Sequence, residues 1–66
     1  MSEVVAIAVT HVGDGCTWSR IVDEEFAGNR EALTGYMSEE SGVVQEDISE
    51  ILVFDTSLEL IYHYHW

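Results

Sequence analysis

Four residues of this 66-residue chain carry the imidazole or thiol groups of zinc binding and Cys–His nucleophilic chemistry: His11, Cys16, His63 and His65. His63 and His65 stand two apart in a stretch that reads as a strand, so they face the same way, and a third His or Cys brought across a sheet would make a partial zinc ligand set. The spacing matches neither the Cys-x-x-Cys nor the His-x-x-x-His framework that structural zinc sites use. The chain is therefore read as holding no metal and no cofactor.

Nucleophilic and acid–base chemistry is disfavoured by the same composition. A Cys–His pair needs an electropositive setting to stabilise the thiolate, and the chain has two Arg, no Lys and thirteen Asp plus Glu. Nothing marks two of those carboxylates as a buried pair with divided pKa values. Gly13-Asp14-Gly15 is too short for a phosphate cradle, and its aspartate would oppose an anion. It reads as a turn, and the chain reads as a binding module, not an enzyme.

The charge is the dominant signal. A formal net of −11 on 66 residues projects a field that repels nucleic acid and anionic membrane and attracts basic protein surfaces. The acids are clustered: Asp23-Glu24-Glu25 after the second strand, Glu31 early in a helix, Glu39-Glu40 at its end, and Glu46-Asp47 with Glu50 on the following connection. These nine residues are the candidate partner-binding set, whereas Glu3 and Glu59 stand outside the clusters. Glu39 and Glu40 oppose the helix dipole where they lie, and so few cations leave the clusters without neutralising partners. Local stability is exchanged for field strength.

One domain over residues 1–66 is all that this length allows, with a core worth only about 3–5 kcal/mol of net stability. Cys16 is the single cysteine, so no intrachain disulfide forms, which fits a reducing compartment. Met1-Ser2-Glu3 lacks a basic leader region, and the apolar run Val4 to Val9 is too short for a signal core or a membrane span; a cytoplasmic protein is expected. A hydrophobic content of 47% separates the chain from acidic disordered tails.

The positioning elements read as follows. Residues 3–12 are apolar on both alternating sides and predict a central strand. Val5, Ile7 and Val9 are expected to face the core helix, against Leu33, Tyr36 and Met37, leaving Val4, Ala6 and Ala8 on the other side with Ile61, His63 and His65. Gly13-Asp14-Gly15 predicts a hairpin loop and residues 16–26 a returning strand, although Trp18, Ile21, Val22 and Phe26 also fit a helical stripe. Asn29 as N-cap, Glu31 in the first turn and Gly42 as C-cap delimit a helix, with Gly35 in its middle pointing to a close approach to the sheet or a weak helix. A connection over 43–49, with one helical turn at Gln45-Glu46-Asp47, leads to strands at 51–54 and 58–64 joined by Asp55-Thr56-Ser57. The predicted fold class is α+β, ββαββ: a four-stranded antiparallel sheet with one helix packed on one face.

The second sheet face is semi-apolar on this reading, either simply exposed or the interface of a homodimer. In size, charge and strand–helix order the chain resembles the small acidic phage-encoded inhibitors that imitate DNA, anti-CRISPR proteins and uracil-DNA glycosylase inhibitors among them. The likeness lies at the level of the class, and the glycosylase-inhibitor pattern is not found. It implies a basic DNA- or RNA-binding protein as partner, such as a CRISPR effector complex, with no direct contact to nucleic acid or membrane. Two other readings of the charge stand beside it: salt adaptation, against which nine Glu to four Asp and five Ile argue, and a small regulatory or antitoxin-like dimer.

Overall fold

A computed structural model describes residues 2–12 and 15–66. Strands β1 (Glu3–Thr10) and β2 (Thr17–Asp23) are followed by a short helix α1 (Glu24–Ala27) and the main helix α2 (Arg30–Ser41). A 3₁₀ turn at Gln45–Asp47 leads into β3 (Ile48–Phe54), and β4 (Leu60–His65) closes the chain. The strands form one antiparallel sheet in the order β2-β1-β3-β4. This is the expected α+β architecture, a four-stranded antiparallel sheet with one main helix on one face, and α1 is added to it.

The β1–β2 turn closes through Thr10 N–H donating to the Cys16 carbonyl at 3.0 Å, and Gly15 takes a left-handed φ of 77°. Gly13 and Asp14, the rest of the expected loop, lie outside the described residues. The strand read over 16–26 ends at Asp23, because the Asp23 side chain accepts a hydrogen bond from Glu25 N–H and starts α1. Helix α2 has the predicted ends. Asn29 accepts from Ala32 N–H at 3.1 Å, and Gly42, at φ 79°, returns its N–H to the Ser38 carbonyl. Gly35 faces the 3₁₀ turn, not the sheet: a Cβ there would meet the Gln45 amide at 3.7 Å, an ordinary contact.

β1 ends at Thr10, two residues before the expected 12, and the starts of β3 and β4 move by three and two residues. β3 begins three residues before the expected 51, because Ser49 Oγ donates to the Val9 carbonyl and Thr10 Oγ1 to the Asp47 carbonyl, extending the ladder through polar residues. β4 begins at Leu60 because Asp55 organises the turn before it. Its carboxylate accepts from Ser57 and Glu59 N–H, while Leu58 is held at φ 65°.

The largest difference is which side of β1 is buried. Val4, Ala6 and Ala8 lie under the helix, almost wholly excluded from solvent, and Val5, Ile7 and Val9 are on the open side, only partly covered. Register supplies the reason. Ala6 and Ala8 are paired with Arg20 and Trp18 on β2 and with Val53 and Ile51 on β3, which in turn pair with Tyr62 and Tyr64 on β4. Three large aromatic side chains thus share the helix-facing surface, and small residues in the central strand leave room for Leu33 and Met37. Both of these are fully buried, a contribution of about 1.5–3 kcal/mol each. Trp18 Nε1–H donates to the Met37 carbonyl at 3.1 Å and Tyr64 Oη–H to the Ala27 carbonyl at 2.8 Å, so the two edge strands are tied to the two helices.

Candidate functional site

Strand direction sorts the acidic residues to the two ends of the sheet. At the end where β1 starts and β2 finishes, Asp23, Glu24 and Glu25 line one open recess with Ser2 and Tyr62. Glu24 also lines a neighbouring recess with Glu3 and Asp55. Glu3 is the direct cross-strand partner of Asp23, and Glu59 closes the β3–β4 turn through hydrogen bonds with Asp55. Glu3, Asp55 and Glu59 therefore join the Asp23–Glu25 cluster, from which their positions in the chain separate them. Antiparallel pairing was the missing signal, since it brings the start of β1 to the end of β2 and the end of β3.

The other candidate residues are divided. Glu39 and Glu40 occupy the last turn of α2, and Glu46 and Asp47 the 3₁₀ turn at the opposite end of the sheet, just before the Ile48–Thr10 pair. Glu31 is alone in the first turn of α2. Glu50 is separated from Glu46 and Asp47: it lies within β3 on the open face, half-buried, with its carboxylate 2.8 Å from His63 Nε2.

Both arginines are engaged. Arg20 Nε stands 3.1 Å from Glu40 Oε1, and Nη2 reaches the Glu40 carbonyl at 3.5 Å, so a β2 side chain supplies the positive charge that the end of α2 lacks. Glu40 thus has a neutralising partner that its place in the chain does not reveal. Arg30 lies over the Trp66 ring at 4.7 Å, a cation–π contact.

The metal-type residues are not brought into one set. The rings of His63 and His65 are 5.4 Å apart on the open face, and His63 is paired with Glu50. His11 and Cys16 flank the β1–β2 turn. Among the described residues no three potential ligands form a group. Burial raises the Tyr64 phenol above its ordinary pKa of 10.0, with Tyr62 acting in the same direction and Arg30 opposing.

The open face of the sheet is the remaining distinctive surface. Ile21 on β2, Val5, Ile7 and Val9 on β1, Leu52 and Phe54 on β3 and Leu60 on β4 occupy mutually paired positions across it. Ile21 is 66% exposed and Leu60 49%. Among the described residues no helix is long and apolar enough to cross a membrane. In comparisons with known proteins the chain matches no family model, no curated protein and no solved structure.

Proposed function

We propose that this domain is an acidic inhibitor that occupies the cationic nucleic-acid-binding surface of a partner protein in place of DNA. The observation that carries this reading is the gathering of six carboxylates, those of Glu3, Asp23, Glu24, Glu25, Asp55 and Glu59, at one end of the sheet. They come from three separate parts of the chain, while both arginines are held elsewhere. Duplex DNA carries one negative charge per about 1.7 Å of axis, and its binders collect Lys and Arg to neutralise it. A rigid set of carboxylates can draw on the same steering and counterion release.

The partner class is a basic DNA- or RNA-binding protein, and a CRISPR effector complex is the form that the resemblance to anti-CRISPR proteins favours. The role is binding without catalysis, exercised in the cytoplasm of the cell that holds the partner. The test is competition. Purified effector complexes and other DNA-binding proteins are captured on the immobilised domain with and without excess duplex DNA, at low and raised salt. Capture should fall steeply with salt and be displaced by DNA. A partner that binds undiminished in excess DNA overturns occupation of the groove.

A further inference from the structure

We propose that the open face of the sheet and the acidic row at its end are one docking surface, and that it fits a protein groove in which aromatic side chains stand among Lys and Arg, the kind that holds single-stranded DNA or RNA. The proposal rests on the inhibitory reading and names the class of nucleic-acid site that is occupied.

The strand register lays this surface out in rows. Asp23 and Glu3 form the first, at the end where β2 finishes and β1 starts. Two residues further along each strand, about 7 Å on, Ile21, Val5 and Phe54 form the second, and Ile7 and Leu52 are the centre of the third. Carboxylates thus abut an apolar surface directly, on the side of the sheet away from α2, with Ile21 the most open of its members. Beyond the first row the acidic groups continue into a recess of about 420 Å³ lined by Glu3, Glu24 and Asp55. At the far end Glu50, the remaining acid that strand position places on this side, is paired with His63 at 2.8 Å. The surface is therefore polarised, acidic at one end and apolar through its centre.

Charge selects a cationic occupant. A second copy would set Glu3 and Asp23 against a −11 chain of the same sign, and an uncharged apolar partner would desolvate these carboxylates without a counter-charge. The apolar rows narrow the class further. Duplex DNA carries its phosphates outside and keeps its base faces stacked inside, so a groove that only neutralises duplex phosphates offers Lys and Arg and leaves Ile21, Val5 and Phe54 without a counterpart. A single strand exposes base faces beside its phosphates, and its binders interleave aromatic side chains with cations. An acidic row next to apolar rows answers that pattern.

Area requires both halves of the surface. Four strands about 4.8 Å apart and about six residues long at about 3.3 Å per residue give a face of about 400 Å². A standard interface takes about 800 Å² from each partner. The face alone is too small, and the acidic end, contiguous with it through Glu3 and Asp23, extends the contact.

Two synthetic peptides of equal length and charge are the probes, one alternating Lys with Trp and the other Lys with Ser. Calorimetric titration of the whole chain should show the Lys-Trp peptide binding about tenfold or more tightly than the Lys-Ser peptide. Added salt should weaken both and leave most of the ratio, because screening acts on charge and not on apolar contact. Ile21→Ser should bring the ratio towards one, whereas Val44→Ser, at an exposed apolar residue before the 3₁₀ turn, should keep it. Circular dichroism establishes that each variant is folded. Amide NMR of the unaltered chain, in which the Lys-Trp peptide should shift Val5, Ile7 and Ile21, tests the proposal without any variant. In the capture assay, single-stranded oligothymidylate should displace the partner at a lower phosphate concentration than duplex DNA does. Equal affinities for the two peptides, binding of neither, a ratio lost equally in Val44→Ser, or NMR shifts confined to the Asp23–Glu25 end would each overturn the proposal. Displacement by duplex DNA alone would overturn it and leave the inhibitory reading standing. A partner that neither nucleic acid displaces would overturn the inhibitory reading and this proposal with it.

Discussion

Glu3 and Asp23 stand directly opposite each other on β1 and β2, two carboxylates in cross-strand register at the end of an antiparallel pair. Like charges in that position are destabilising, and an opposite pair contributes about 0.2–1 kcal/mol. Glu3→Lys should therefore raise the melting temperature in dilute buffer, and the gain should shrink as salt is added. Asp23 is unsuited to this substitution because its side chain also caps α1. An unchanged or lowered melting temperature in Glu3→Lys would show that the two carboxylates do not repel measurably.

Charge reversal should act by location. Lys at both Glu24 and Glu25 and Lys at both Glu39 and Glu46 change net charge by the same amount at opposite ends of the sheet. The first pair should reduce capture of a DNA-binding partner much more than the second. Glu3 and Glu59 do not serve as the outlying control, since pairing brings them to the Asp23–Glu25 end. Equal losses would mean that diffuse charge, not a localised set, attracts the partner.

The buried side of β1 sets the mutational pattern of stability. Leu33→Ala removes a fully buried side chain and should cost about 2–5 kcal/mol, enough to unfold a domain whose net stability is about 3–5 kcal/mol. Ile7→Ala, on the open side, should leave the monomer folded. Thermal melts of dilute protein followed by circular dichroism decide between this pattern and its reverse, in which Ile7 would be the core residue.

Alkaline pH should loosen the fold through Tyr64. Its folded pKa lies above the ordinary 10.0, so above about pH 10 the native state holds a proton that the unfolded chain releases. Stability is complete below that value and falls as pH rises through it. Tyr64→Phe should flatten this dependence above pH 10. At neutral pH it should cost about 1–3 kcal/mol, because the Ala27 carbonyl of a fully buried residue loses its Tyr64 donor. Denaturant titrations at pH 7 and above pH 10 measure both effects.

Salt should also act on the fold itself. The domain should be folded in dilute buffer, with its melting temperature rising modestly as the Debye length contracts from about 10 Å towards about 3 Å. A chain unfolded in dilute buffer and folded only in molar salt would point to salt adaptation and away from a partner.

Sequence alone determined the features that depend on neighbours along the chain. Asn29 and Gly42 mark the ends of α2 because a cap is satisfied within three or four residues, and alternation with turn residues is enough to place four strands and join them antiparallel. The negative field needs no structure at all, since a domain this small cannot hide thirteen carboxylates. Tertiary structure alone decided which side of β1 is the core. Val5-Ile7-Val9 and Val4-Ala6-Ala8 are both apolar, so alternation is symmetric between them. The bulk of Trp18, Tyr62 and Tyr64 arriving from other strands assigns the smaller set to the helix and leaves the larger one on the open face. The acidic site follows the same rule, because Glu3, Asp23, Asp55 and Glu59 become neighbours only when antiparallel pairing brings the ends of distant strands together.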